Sequence, residues 1–398
     1  MNITKDIIDY KTAGTIVITA LTICITVFIF HPAISQRQIQ NDKDGGSSSS
    51  IIVEEILDDE KNQSKSKHEH NNPEQESKST TIQEQPPPLL SLVIPAYNEE
   101  LRLPPMLQST IQHLKSSKME IVNRCNDIID HPQSNTSNMM KNITNEENKH
   151  LFEIIIINDG SKDNTVTEVK NVLQKNHLLE DTLSKMNISI RLLTLTQNCG
   201  KGAAVRVGML HSHGHLRLMV DADDATNFQP SLLKLLDEMK TMKQNIGNNN
   251  SSNAASRNEL IVFGSRAHLQ ESSKAKRSLI RTILMVAFHF FVKTLCSNLI
   301  HDTQCGFKLF TSDAAIVLFH NLHLTRWAFD TELVVMAEKL SIPIGEVGVE
   351  WEEVDGSKLA TSKFALMVAS IEMLRDMLCV NIMYTLRLWK LEQKIVRE

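Results

Sequence analysis

The chain has 398 residues, is 41% hydrophobic and carries a formal net charge of -5, so it can bury a substantial core and lacks the basic balance that would make nucleic acid its main partner. Its six cysteines (Cys24, Cys125, Cys199, Cys296, Cys305 and Cys379) include no C-x-x-C pair. That pattern fits neither a zinc site nor a dense disulfide framework, and it suits a reducing compartment.

From Thr12 to Gln36 there is no Asp, Glu, Lys or Arg, and the centre of this stretch, GTIVITALTICITVFIF (14–30), is nearly long enough to cross a bilayer as a helix. Residues 1–36 read as a retained membrane anchor, because HPAIS (31–35) offers a poor small-x-small cleavage site. Lys5 and Lys11 on one side nearly match Arg37 and Lys43 on the other, so charge does not set the orientation. Residues 37–88, with GGSSSS, a Lys/Glu/Gln/Asn/His-rich run and Pro86-Pro87-Pro88, carry too little apolar area to fold alone and read as a disordered polar linker.

Beyond the linker the pattern becomes strand, loop, helix. Strands are predicted at LLSLVI (89–94), FEIIIIND (152–159), ISIRLLTL (188–195), LRLMVD (216–221) and LIVFGS (260–265), and their separation by helical stretches argues for a parallel-type sheet covered on both faces. Residues 89–360 form the expected catalytic domain, with polar surface insertions at 116–150 and 243–257. Two later stretches, 279–300 and 364–391, are apolar over several turns yet interrupted by Arg or Lys. Such segments, the second within a C-terminal unit at 361–398, suit amphipathic helices lying in a membrane interface.

The suspicious residues sit where the apolar runs end, which is where open α/β sheets bind ligands. Those ends are PAYNEE (95–100), NDGSKDNT (158–165), NCGKGAA (198–204) and LMVDADDAT (218–226). Asp221 and Asp223 offer hard oxygen ligands to Mg2+ or Mn2+, which favours one or two carboxylates together with substrate phosphates and water. A lone D-x-D would read as a solvated turn, but three further polar loops converge on it. Gly200-Lys201-Gly202 at a helix start offers backbone N–H groups and an ammonium to phosphate, although it lacks the spacing of a Walker A loop. His211, His213 and His215 alternate, a poor spacing for one helical face, and Cys305 has no legible relay, so it reads as a packed small residue.

From about Leu89 onward the motifs YNEELRLP, NDGSKDNT, GKGAAVRVGM and DADDAT occur in the order found in family 2 glycosyltransferases of the GT-A fold. GSRAHL, DTQCGFKLF, RWAFDTEL and EVDGSKL narrow the likeness, so that the chain resembles the dolichyl-phosphate β-glucosyltransferases. The resemblance implies an α/β, Rossmann-like nucleotide-sugar transferase domain on the endoplasmic reticulum membrane, facing the cytosol. It implies UDP-glucose and dolichyl phosphate as substrates, and dolichyl β-D-glucosyl phosphate, a glucose donor for protein N-glycosylation, as product. Pro95, Tyr97, Glu99, Asp159, Lys201 and Asp221 would hold the nucleotide sugar, and Asp221 and Asp223 the Mg2+ or Mn2+. Arg266, Arg277 and Lys358 would meet the acceptor phosphate. Asp330 would orient the sugar or buttress a loop, as would Asp302. In two places the chain departs from the family pattern: Asn158 stands for the first Asp of Asp-Asp-Gly-Ser, and Asp224 for the Gly of Asp-Ala-Asp-Gly. Two other readings keep parts of this picture, a mannosyltransferase using GDP-mannose and a membrane-tethered lipid or nucleotide binding protein without catalysis. No residue read from the sequence separates glucose from mannose.

Overall fold

The computed structural model describes residues 51–55, 86–129, 150–174, 187–248, 258–269, 299–352 and 363–393, together with Thr26, Thr294 and Val354. Its strands are β1 (Ile51–Glu55), β2 (Leu90–Ala96), β3 (Phe152–Asn158), β4 (Ile188–Leu195), β5 (Leu216–Val220), β6 (Ile261–Ser265), β7 (Phe307–Thr311) and β8 (Ile344–Gly348). The helices are α1 (Leu103–Ser116), α2 (Lys118–Ile128), α3 (Thr165–Gln174), α4 (Lys201–His211), α5 (Phe228–Asn248), α6 (Ser312–Asn321), α7 (Phe329–Leu340) and α8 (Lys363–Thr385).

All eight strands join one sheet in the order β1-β4-β3-β2-β5-β7-β6-β8. The block β4-β3-β2-β5 is parallel, and its order turns back between β2 and β5, a switch point at which a crevice opens beyond the strand ends. The expectation of a parallel-type sheet holds for that block and for the β6-β8 pair, whereas β7 runs antiparallel to both β5 and β6 and β1 runs antiparallel to β4. Residue alternation explains why both faces are covered. Leu90, Leu92, Ile94, Phe152, Ile154 and Ile156 pack in one core with α1, α2, α3 and α5. Val93, Ile155, Ile157, Leu193 and Met219 pack in the other with α4, α6, α7 and, through Val380 and Tyr384, the end of α8. A strand buried on both sides reads as a continuous apolar run, as Ile154–Ile157 does.

The structure corrects three expectations. Ile51–Glu55, within the supposed linker, is an edge strand whose Ile-Ile-Val run pairs with Leu195 to Leu193. β-branched residues favour that extended pairing even in a polar context. Residues 118–128, assigned to a surface insertion, form α2. Its Ile121, Val122, Cys125 and Ile128 lie on one buried face, and ion pairs Arg124–Asp237 and Lys240–Asp127, both 2.7 Å, tie it to α5. Residues 243–248 continue α5 rather than leaving the fold. Residues 130–149 and 249–257 of the two insertions lie outside the described residues, as do the anchor apart from Thr26 and all of 279–298 except Thr294. Among the described residues no helix is long and apolar enough to cross a membrane. α8 matches the apolar C-terminal stretch and is divided along its length: Met377, Cys379, Val380 and Tyr384 are buried, whereas Met367, Val368 and Ile371 are exposed.

Candidate active site

The loops after β2 and β3 are laced together. Asn98 N donates to Ser161 Oγ (2.8 Å), Lys162 N returns a bond to Asn98 Oδ1 (2.7 Å), and Asn164 N donates to Glu100 Oε2 (3.0 Å). Pro95, near the end of β2, and Tyr97, at the start of the first loop, are half-buried. Glu99, expected on the nucleotide, engages Arg102 through both oxygens at 2.7 Å. Asn158 accepts from Ser161 N at 3.0 Å, closing the turn through one side-chain oxygen. An amide supplies that acceptor as well as a carboxylate does, which accounts for the first departure from the family pattern. Asp159 reaches the third loop, accepting from Cys199 N (2.7 Å) and Gly200 N (2.9 Å). Burial raises its pKa against the pull of those two N–H groups.

That third loop is less of a phosphate cradle than the sequence suggested. Gly200 has φ +98°, and a Cβ on it would stand 2.5 Å from Thr325 O. One on Gly202 would stand 2.7 Å from Leu324 O. Ala203 N donates to Thr325 O at 3.0 Å. Both glycines therefore admit the backbone of 324–326, and several amides near the start of α4 are engaged inside the protein. The charge of the loop is the Lys201 ammonium, 2.6 Å from Asp221 Oδ1 and 5.5 Å from the centre of the Trp327 ring. Burial would lower its pKa, but Asp221, Asp330 and Asp223 outweigh that and hold it above its ordinary value.

Asp221 follows β5 directly, and its N donates to Gly306 O at 3.1 Å. A Cβ on Gly306 would collide with the Asp221 carboxylate, so this glycine makes room for the acid. Asp223 accepts from Ala225 N (3.2 Å). Burial and then the charge of Asp221 push its pKa up, opposed by Lys201 and Arg102. Asp224 sits at φ +57°, a left-handed conformation that Asp tolerates better than most residues. The second departure thus preserves the backbone that a glycine would adopt. A divalent cation fits here: two like-charged carboxylates gain from it, and the remaining ligands would come from phosphates and water.

Two ion pairs complete the edge. Arg266, just after β6, grips Asp302 through Nε (2.7 Å) and Nη2 (2.9 Å), and burial of Asp302 is overcome by this partner, which holds its pKa down. Asp330, in the first turn of α7, lies 2.9 Å from Lys308 Nζ, and both side chains are almost wholly buried. Burial raises the Asp330 pKa against Lys308 and Lys201. Lys308, Gly306 and Trp351 were not singled out from the sequence. Lys308 reads there as a break in an apolar run, and only the fold reveals its partner. Arg277 and Lys358 lie outside the described residues. Cys305 is buried as expected, its thiol pushed up to about 11. His213 binds Glu153 (3.0 Å), a residue near the start of β3 and so at the other end of the strands.

Residues 134–314 match the family described as Glycosyl transferase family 2. Dolichyl-phosphate beta-glucosyltransferase of Dictyostelium discoideum is 42% identical over 306 residues, 76% of this chain and 77% of its own length. The chain belongs to the dolichyl-phosphate beta-glucosyltransferase family. The Homo sapiens member is 36% identical over 307 residues, 76% of this chain and 78% of its own. Among solved structures, glucosyl-3-phosphoglycerate synthase from Mycobacterium tuberculosis with Mn2+ and UDP-glucose aligns at a TM-score of 0.39 and 15% identity, covering 73% of this chain and 78% of that one. At that distance nothing about substrate follows.

Proposed function

We propose that the protein transfers glucose from UDP-glucose to dolichyl phosphate with inversion at the anomeric carbon, on the cytosolic face of the endoplasmic reticulum membrane. Membership of the family supports the acceptor and the sugar. The observation that carries the reading is that the Asp221/Asp223 pair and Arg266 follow β5 and β6 at the same sheet edge, since β7 runs antiparallel to both strands, and that Trp351, against Arg266, bridges Thr226 of the acids' loop. One position suits a metal-bound diphosphate and the other an anionic acceptor.

Asp221 and Asp223 would hold Mg2+ or Mn2+, which neutralises charge on the departing diphosphate. Lys201 adds an ammonium beside Asp221, from which it can turn to a phosphate oxygen. A phosphate monoester, with a second pKa of about 6, attacks without a general base. Its oxygen forms the new bond to C1 as the bond from C1 to the diphosphate oxygen breaks, and that electron pair leaves with UDP. Arg266 must place the acceptor, since two anions repel unless each is matched by a cation. Asp330, engaged by Lys308, serves as no base in this scheme.

The test is turnover of radiolabelled UDP-glucose with dolichyl phosphate in detergent, beside GDP-mannose and with EDTA. Product from UDP-glucose alone, abolished by chelator, is expected. Preference for GDP-mannose would refute the donor, and full activity in chelator would refute the metal.

A further inference from the structure

We infer that Asp302 and Trp351 are positioning residues that aim Arg266 at the acceptor phosphate, an inference that rests on the reading of Arg266 given above. A long, flexible cation beside a D-x-D pair would otherwise be drawn onto those acids, into the place of the metal. Three bonds prevent this. Asp302 accepts from Arg266 Nε (2.7 Å), from its Nη2 (2.9 Å) and from its main-chain N (2.9 Å). The carboxylate is itself steadied, because Asp302 N donates to Glu346 Oε1 (3.0 Å) and Gln304 N donates to Asp302 Oδ1 (3.3 Å). Trp351 closes one face of the guanidinium at 5.4 Å from its ring centre.

What remains is directional. With its Nε edge engaged, Arg266 keeps Nη1 without a hydrogen-bond partner among the described residues, and 29% of its side chain is exposed. A planar fork so held presents its free N–H groups in one fixed direction. The wall behind it is fastened to the metal acids' own loop: Trp351 bridges Thr226, Asn227 N donates to Glu350 O (2.9 Å) and Glu352 N donates to Ala225 O (2.8 Å). The acceptor cation is thereby referenced to the backbone that carries the donor's metal ligands. A shift of one would be a shift of both.

The experiment is steady-state kinetics of the full chain in detergent for Trp351→Leu, Trp351→Phe, Asp302→Asn, Arg266→Ala and the double variant Trp351→Leu/Arg266→Ala. Trp351→Leu should raise KM for dolichyl phosphate roughly 5- to 30-fold, the range of a partly desolvated cation–π contact. KM for UDP-glucose should stay within about 2-fold, because only acceptor placement is lost. Trp351→Phe, which keeps an aromatic face, should restore the acceptor KM, and Asp302→Asn should behave as Trp351→Leu does. In the double variant the tryptophan change should add nothing to Arg266→Ala. Equal rises for both substrates, no rescue by Phe, or an additive double variant would overturn the inference. If Arg266→Ala raises the acceptor KM while Trp351→Leu and Asp302→Asn do not, the inference falls and the reading of Arg266 stands. If Arg266→Ala instead raises only the donor KM, both fall.

Discussion

Asp221 depends on a residue with no side chain. Gly306 donates no chemistry, yet any Cβ there would overlap the Asp221 carboxylate, so Gly306→Ala should displace a metal ligand without touching metal or substrate. Overpacking of this kind costs about 1–3 kcal/mol, so the variant should fold, with a modest fall in Tm. Its affinity for Mn2+ in the presence of UDP should drop sharply, as read by Mn2+ electron paramagnetic resonance. Asp223→Ala, which removes a ligand outright, should weaken Mn2+ binding more than roughly 100-fold, given that outer-sphere changes already cost about 10- to 100-fold. Unchanged Mn2+ affinity in either variant would return DADDAT to a solvated turn. The D-x-D pair was legible as sequence because two acids follow an apolar run. Gly306 was not, because its constraint comes from a strand far away in the chain.

The strands anticipated from the sequence, β2 to β6, are rich in Ile, Val and Leu, most plainly at Ile154–Ile157. β7 and β8 escaped notice for physical reasons. FKLFT places a lysine second in a buried strand, tolerated because Asp330 of α7 lies 2.9 Å from it and Cys305 O accepts from the same ammonium, and IGEVG contains two glycines and an acid. A partner supplied by tertiary structure leaves no local signal. The far end of the sheet offers a pH test at this scale, for Glu153 ties three strands together. It accepts from Ser91 Oγ of β2, from Arg191 of β4 (2.5 Å) and from His213 N (2.9 Å). Burial pushes its pKa up, but the His213 side chain, Arg191 and Ser91 overcome this and bring it from 4.5 to about 2. A folded-state pKa below the unfolded value gives stability that is present above pH 4.5 and lost as pH falls toward 2. Glu153→Gln should therefore lower stability at neutral pH and flatten the acid limb of a denaturation profile between about pH 4.5 and 2. A parallel, merely displaced profile would deny Glu153 its role as the titrating tie.

For the whole molecule, the question is how a site for a water-soluble sugar nucleotide meets an acceptor buried in lipid. α8 is divided along its length between buried and exposed residues. Its C-terminal half is fixed to the catalytic core, where Tyr384 OH donates to Glu332 (2.9 Å), and just beyond its end Trp389 stacks on His323 at 3.9 Å. The same buried Glu332 accepts from Leu324 N (2.7 Å), and the adjoining Thr325 receives the backbone of α4 beside Lys201. The N-terminal half leaves Met367, Val368 and Ile371 uncovered, as befits a helix lying in a lipid interface rather than one enclosed by protein. If that face enters the interface, removing residues 1–35 should leave a protein that still co-sediments with lipid vesicles. Adding Ile371→Glu and Val368→Glu to this truncation should release it, because each charge opposes burial at the acyl boundary. UDP-glucose affinity should survive both changes, since neither residue belongs to the nucleotide loops. A truncated protein that is freely soluble and monodisperse before the charges are introduced would assign membrane attachment to the N-terminal segment alone, and the exposed face of α8 would then need another explanation.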